Sequence, residues 1–261
     1  MDDARAVETY RGTVYRWEVD HNDHLTVAYY FARIADAGLA FLATLGLGPS
    51  YTEREQRACV TVDCYVRYMQ ELRTGDLMHA TSAVIAVEPA GLVFGHSLFN
   101  TETGAVCTTV EHQIRHVEAD RRTPAAFTPL QREAAEAHRV AWDGPARERR
   151  ARPRTLDGLR DAARDVVKPA EVDALGQVAL SAYIHRFSAA NGHVLATFGM
   201  TPGYLRDERR GFSTFEFQLA FTGAVRPGDP VVVRSAVVHV GTSSLRLFHL
   251  MLNERTGERV A

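Results

Sequence analysis

Asp20-His21-Asn22-Asp23-His24 sets two carboxylates and two imidazoles within five residues, directly ahead of an apolar segment that begins at Val27. A carboxylate held beside an electrophilic carbonyl can attack it or act as general base on water. A helix starting just behind it offers unpaired N–H groups and a positive dipole end to an oxyanion. If both carboxylates ionised side by side, the pKa of one would rise, which suits a general acid. The same residues have plainer readings. An Asp ahead of a helix is often a capping or turn carboxylate, His21 and His24 can simply hydrogen-bond in the loop, and the five together could be taken for metal ligands. The metal reading finds no further ligand set in the sequence.

The elements that must hold this loop are found by sliding the chain over itself. At an offset of 153, Thr44-Leu45-Gly46-Leu47-Gly48-Pro49-Ser50-Tyr51 lies over Thr197-Phe198-Gly199-Met200-Thr201-Pro202-Gly203-Tyr204. The same offset pairs Glu18-Val19-Asp20 with Glu171-Val172-Asp173, Tyr30 with Tyr183, Arg33 with Arg186, and Arg73-Thr74-Gly75-Asp76 with Arg226-Pro227-Gly228-Asp229. Ser82 falls on Ser235, His96 on His249 and Asn100 on Asn253. So many matches at one ungapped offset make the chain a duplication. Each copy reads as a short strand (Arg11 to Trp17; Asp165 to Lys168), a polar loop holding the shared Asp, and a helix closed by Gly (Val27 to Leu45; Ala179 to Phe198). The first helix is apolar on nearly every side and is therefore expected to be buried. In copy one, alternation from Val60 to Met69, then Leu77 to Val87, Leu92 to Asn100 and Ala105 to Val117, reads as four antiparallel strands, the last two joined through Thr101-Glu102-Thr103-Gly104. A buried helix wrapped by such strands is an α+β arrangement. Copy two has almost no sequence left for its final strand.

This organises the chain as 1–117, a connector 118–164, and 165–261. Pro punctuates the connector, a short helix near Leu130 to Val140 is expected within it, and the basic run Glu148 to Arg154 reads as solvated surface or a guide for phosphates. Thirty basic against thirty-two acidic side chains argue against non-specific nucleic-acid binding. No stretch approaches the roughly twenty unbroken apolar residues of a membrane span. Met1 to Val7 does not look like a signal peptide. Cys59, Cys64 and Cys107, an odd number without C-x-x-C spacing, read as buried small hydrophobes in a reducing, cytoplasmic setting.

Asp20-His21-Asn22-Asp23-His24-Leu25-Thr26-Val27-Ala28-Tyr29-Tyr30 resembles the D-x-x-G-H-x-N-x-x-x-Y signature of the 4-hydroxybenzoyl-CoA thioesterase-like branch of the hot-dog superfamily, with Asp23 in place of Gly and Thr26 in place of Asn. Copy two offers Asp173-Ala174-Leu175-Gly176-Gln177-Val178 with Tyr183, keeping the Gly but carrying Gln177 for His. The resemblance covers both copies but not the connector, and implies a tandem, or double, hot-dog fold. It further implies hydrolysis of an acyl thioester on coenzyme A or an acyl-carrier protein, with no cofactor and no metal. Carried over by position, Asp20 and Asp173 are the catalytic carboxylates, with His24 assisting. The N–H groups of Val27 and Leu180 are oxyanion donors, and Asp23, Tyr30, Gly176 and Gln177 join the substrate-binding set. Tyr29, Tyr30 and Phe31 suit an acyl pocket or an ordinary core equally. A hot-dog hydratase, whose D-x-N-P-x-H loop Asp20-x-Asn22 and His24 narrowly miss, and a non-catalytic acyl-thioester binder are the alternatives. A fused pair of hot dogs is expected to supply within one chain the two-fold dimer of single-domain relatives, both helices wrapped by one continuous sheet; a higher homo-oligomer is left open.

Overall fold

Val27–Thr44 carries Tyr30, Phe31, Ile34, Ala37, Phe41 and Leu42 at helical spacing, and these side chains are all buried in helix α1, which they line on one face. The computed structural model describes residues 4–148, 150–153 and 155–261. Met1 to Asp3, and Arg149 and Arg154 of the basic run, lie outside them. The chain forms two compact units, the first comprising residues 1–146, 174–177 and 214–220, the second the remainder.

In the first unit, β1 (Val7–Thr13), β2 (Arg57–Tyr68), β3 (Leu77–Glu88), β4 (Gly91–Asn100) and β5 (Val106–Glu118) are joined by β7 (Glu216–Ala220) in one antiparallel sheet of order β1-β3-β4-β5-β2-β7. Helix α1 packs against it, with Phe41 edge-on to Phe94 of β4 at 4.9 Å between ring centres. Gly38 lets the helix come close to the sheet: a Cβ there would sit 3.2 Å from the His112 ring. A short helix, α2 (Pro49–Glu55), follows, entered through Pro at its first turn. The connector supplies α3 (Pro129–Ala137), capped by Thr128 and Gln131 in a capping box. The chain then pairs with Val84 at a bulge of β3 and lays Trp142 across Gly95, where a Cβ would lie 2.4 Å from the indole. Trp142 Nε1 donates to Glu111.

In the second unit, β6 (Arg160–Val166), β8 (Pro230–Val240) and β9 (Leu245–Asn253) form a three-stranded sheet under α4 (Leu180–Ala196), with α5 (Pro202–Asp207) beyond.

The offset of 153 holds element by element: β1 on β6, α1 on α4, α2 on α5, β3 on β8 and β4 on β9. Even irregularities recur, the shift between Glu8 and Tyr10 at Asp161/Ala163 and that between Val84 and Ala86 at Val237/His239. Two expectations are corrected. The opening strands lie earlier than the sequence suggested, Val7–Thr13 and Arg160–Val166. The residues after them, Arg16–Glu18 and Pro169–Glu171, are single 3-10 turns, because each turn's Glu turns back to cap its own start. Nor do the described residues form one continuous sheet: among them, six strands and three strands make separate sheets. An isolated bridge joins Leu252 of β9 to Arg259. Cys59, Cys64 and Cys107 are buried free thiols. Among the described residues no single helix is long and apolar enough to cross a membrane.

Candidate active site

The loop between the first 3-10 turn and α1 is built from beneath. Glu18, only 3% exposed, pairs with Arg33 of α1 and accepts from the Tyr15 N–H at 3.0 Å. Val19 bridges to Leu25, Thr26 N donates to the Glu18 carbonyl, and Asp20 N donates to the His24 carbonyl at 2.9 Å. The chain is thereby folded back so that Asp20 lies against the residues leading into α1. Copy two repeats the device: Glu171 pairs with buried Arg186, accepts from Lys168 N, and Val172 bridges to Val178. A buried pair of this kind is costly to break from one side, so it fixes the loop's origin.

Within the loop the Asp20 carboxylate accepts two backbone N–H bonds on one oxygen, from Asn22 at 2.8 Å and His24 at 3.0 Å. That is a turn carboxylate by geometry, yet its second oxygen has no hydrogen-bond partner among the described residues. The N-terminus of α1 is open as well, since Thr26 makes no side-chain cap; the same is true at Ala179 ahead of α4 and Leu180.

His24 contributes differently from its sequence reading. Its backbone N–H serves Asp20, but its ring faces away, with Nε2 2.8 Å from Glu71 and 3.3 Å from an Arg73 nitrogen. Glu71 and Arg73 come from the turn before β3, where Asp76 accepts from Arg73 N. Nothing in the sequence links His24 to a carboxylate forty-seven positions on, and only the fold brings them together.

Asp23 turns away from Asp20. Its backbone is left-handed, φ 61°, at the position where copy two has Gly176, φ 72°; this is the conformation for which the related signature carries Gly. Its carboxyl is held below the ordinary value, not raised, chiefly by the Thr74 hydroxyl at 2.5 Å, with Arg16 and Arg73 nearby. These neighbours favour its ionised form. Asp20, Asp23 and His24 thus turn to three different sets of neighbours.

Tyr30 is buried, its hydroxyl accepting from Leu72 N and its ring edge-on to Tyr68; burial pushes its pKa up. It packs the first turn of α1. Residues 174–177 belong to the first unit, where Leu175 packs on the core around Phe41 and Leu42 and Gln177 donates to the Cys59 carbonyl at 3.1 Å. Asp173 is exposed.

One polar array was anticipated only in fragments. Thr9, Ser82, His96, His112 and Thr61 form a hydrogen-bonded chain at 2.6, 2.7, 3.3 and 2.8 Å across β1, β3, β4, β5 and β2. Burial holds His112 down to about 4 and His96 well below its usual range, the latter also opposed by His112. In copy two, Ser235, His249 and Asn191 form a shorter version at 2.7 and 2.8 Å. His96 and His112 are core groups, and His249 is half-buried.

Comparison with known proteins agrees with this architecture. The model of the Thioesterase-like superfamily matches residues 14–136 and 167–261. The L-carnitine dehydrogenase/betainyl-CoA thioesterase of Agrobacterium fabrum strain C58 is 27% identical over 127 residues, 49% of this chain; the match spans 26% of that relative's length. A putative oleoyl thioesterase from Lactobacillus plantarum superposes with a TM-score of 0.78 at 13% identity, over 98% of this chain and 94% of that one. An acyl-ACP thioesterase from Bacteroides thetaiotaomicron gives 0.73 at 13%, over 98% and 95%. At these identities the likeness speaks for the fold.

Proposed function

Since the chain belongs to the Thioesterase-like superfamily, we propose that it hydrolyses acyl thioesters carried on coenzyme A or an acyl-carrier protein, with Asp20 as the principal catalytic carboxylate. The observation that carries this reading is the state of Asp20: one oxygen fixed by two N–H groups, the other without a partner among the described residues, beside an uncapped helix N-terminus. The free oxygen takes a proton from water as the water oxygen bonds to the thioester carbon. The Val27 N–H region stabilises the resulting oxyanion. Collapse breaks the C–S bond, and the proton passes to the departing sulfur. His24, its ring braced by Glu71, assists by holding Asp20 in place through its backbone N–H.

Asp173 with Leu180 forms the second candidate constellation, but Gln177 in place of His cannot take up a proton, so the slower turnover is assigned there. Relatives and neighbours named for CoA and for acyl-carrier-protein substrates support the carrier classes. The test is release of free thiol from a panel of acyl-CoAs and acyl-carrier proteins, with hydration of enoyl-CoAs followed in parallel. Thiol release without hydration is expected; hydration alone would make the chain a hydratase, and binding without turnover a carrier of acyl thioesters.

A further inference from the structure

The 3-10 turn that leads into the Asp20 loop presents Tyr15, Arg16 and Trp17 to solvent. The rings of Tyr15 and Trp17 lie 4.5 Å apart and within 6° of parallel. Trp17 is nonetheless 70% and Tyr15 45% exposed, so the pair is stacked on itself rather than packed into the core. The fold does not ask for these rings. The equivalent turn of copy two is locked by the same Glu and Arg, Glu171 with Arg186, and is formed by Lys168, Pro169 and Ala170. An aromatic pair kept in water costs solvation and yields no core packing.

Charge around the pair is mixed but movable. The Arg16 guanidinium, 75% exposed, reaches Asp23 at 3.3 Å, and Arg73, 55% exposed, reaches Glu71 at 3.6 Å. Such exposed pairs are worth little, and each guanidinium has further N–H donors for an oxyanion of higher charge. Trp17 and Asp20 are three residues apart, so their Cα atoms are within about 11 Å, and a purine on the indole lies no farther from Asp20 than a pantetheine arm can span.

We propose that Tyr15 and Trp17 form a stacking platform for the purine of coenzyme A, with Arg16 and Arg73 meeting its phosphates, so that copy one takes its acyl group from coenzyme A in preference to a carrier protein. The inference rests on the thioesterase reading for its acyl group, but not for binding of the nucleotide. Stacking of one base on an aromatic ring predicts a loss of about tenfold or more when the ring is removed. Two measurements decide it. Free coenzyme A, titrated calorimetrically, should bind wild type at least tenfold more tightly than Trp17→Ala, and Arg16→Gln should weaken binding more at low than at high salt. In turnover, Trp17→Ala should raise KM for an acyl-CoA by a similar factor and move KM for the matching acyl-pantetheine, which has no purine, less than twofold. Equal coenzyme A affinity in wild type and Trp17→Ala overturns the proposal, as does a KM increase shared by acyl-pantetheine or confined to acyl-carrier protein. If wild type hydrolyses nothing, the titration still decides the platform, and the thioesterase reading fails alone.

Discussion

Replacing His112 by Asn should change how stability depends on pH as well as stability at neutral pH. His112 is wholly enclosed between α1 and the sheet, bonded to His96 and Thr61, and its pKa is held down from 6.5 to about 4 by burial. In the unfolded chain it titrates normally. Above pH 6.5 both states are neutral and the group contributes nothing; as the pH falls below that value the unfolded state takes up a proton that the folded state refuses. Stability is therefore lost from about pH 6.5 downward, at about 1.4 kcal/mol per pH unit, until the folded pKa near 4 is reached. Between about pH 6.5 and 5 this amounts to about 2 kcal/mol for His112, and His96 acts in the same direction. Asn keeps one donor and one acceptor in place, so about 1–3 kcal/mol is lost at pH 7.5 from imperfect hydrogen bonding. The wild-type advantage should then shrink by about 2 kcal/mol by pH 5, above the range where carboxylates dominate. Urea unfolding followed by tryptophan fluorescence reads this in the right place, because Trp17 and Trp142 both lie in the first unit. Parallel curves of stability against pH for the two proteins would refute the reasoning.

Three further outcomes are expected. Glu18→Gln strands the Arg33 charge in a site where Glu18 is 3% exposed, and thermal unfolding should show a loss of about 3 kcal/mol or more, partly recovered in Glu18→Gln/Arg33→Met. Asp23→Gly should hold stability within about 1 kcal/mol, relief of the left-handed backbone offsetting the lost Thr74 contact, whereas Asp23→Val at φ 61° should cost more; denaturant midpoints compare them directly. Gly95→Ala drives a methyl into the Trp142 ring and should cost about 1–3 kcal/mol, with a shift in tryptophan emission.

The duplication was the most legible feature, since identical short strings at one offset survive any uncertainty about element ends, and that offset then holds down to the bulges. The alternation of Val60, Val62 and Cys64 with polar neighbours marked β2, but its counterpart β7 was missed: Glu216–Ala220 is only five residues long and carries no comparable pattern. Helices α2 and α5 were passed over, although Pro49 and Pro202 stand in their first turns and Pro commonly opens helices. Glu18 with Arg33 and Glu171 with Arg186 were visible as recurring opposite charges fifteen residues apart, a signal available for the buried pairs. The direction of the His24 ring, the neighbours of Asp23 and the five-strand polar chain were not legible, because each joins residues from separate strands or turns.

The central claim is that Asp20 does the chemistry and not merely the turn. Asn at this position preserves an oxygen for the Asn22 and His24 N–H groups, so the loop should keep its shape while the proton acceptor is lost. Single-turnover thiol release from an acyl-CoA, measured for wild type, Asp20→Asn, Asp173→Asn and the double variant, is the most direct measurement. The account predicts a fall of about 100-fold or more for Asp20→Asn, a smaller one for Asp173→Asn, and unchanged folding. Wild-type rates in a folded Asp20→Asn protein would contradict it and leave Asp20 a turn residue; abolition by Asp173→Asn alone would move the chemistry to copy two.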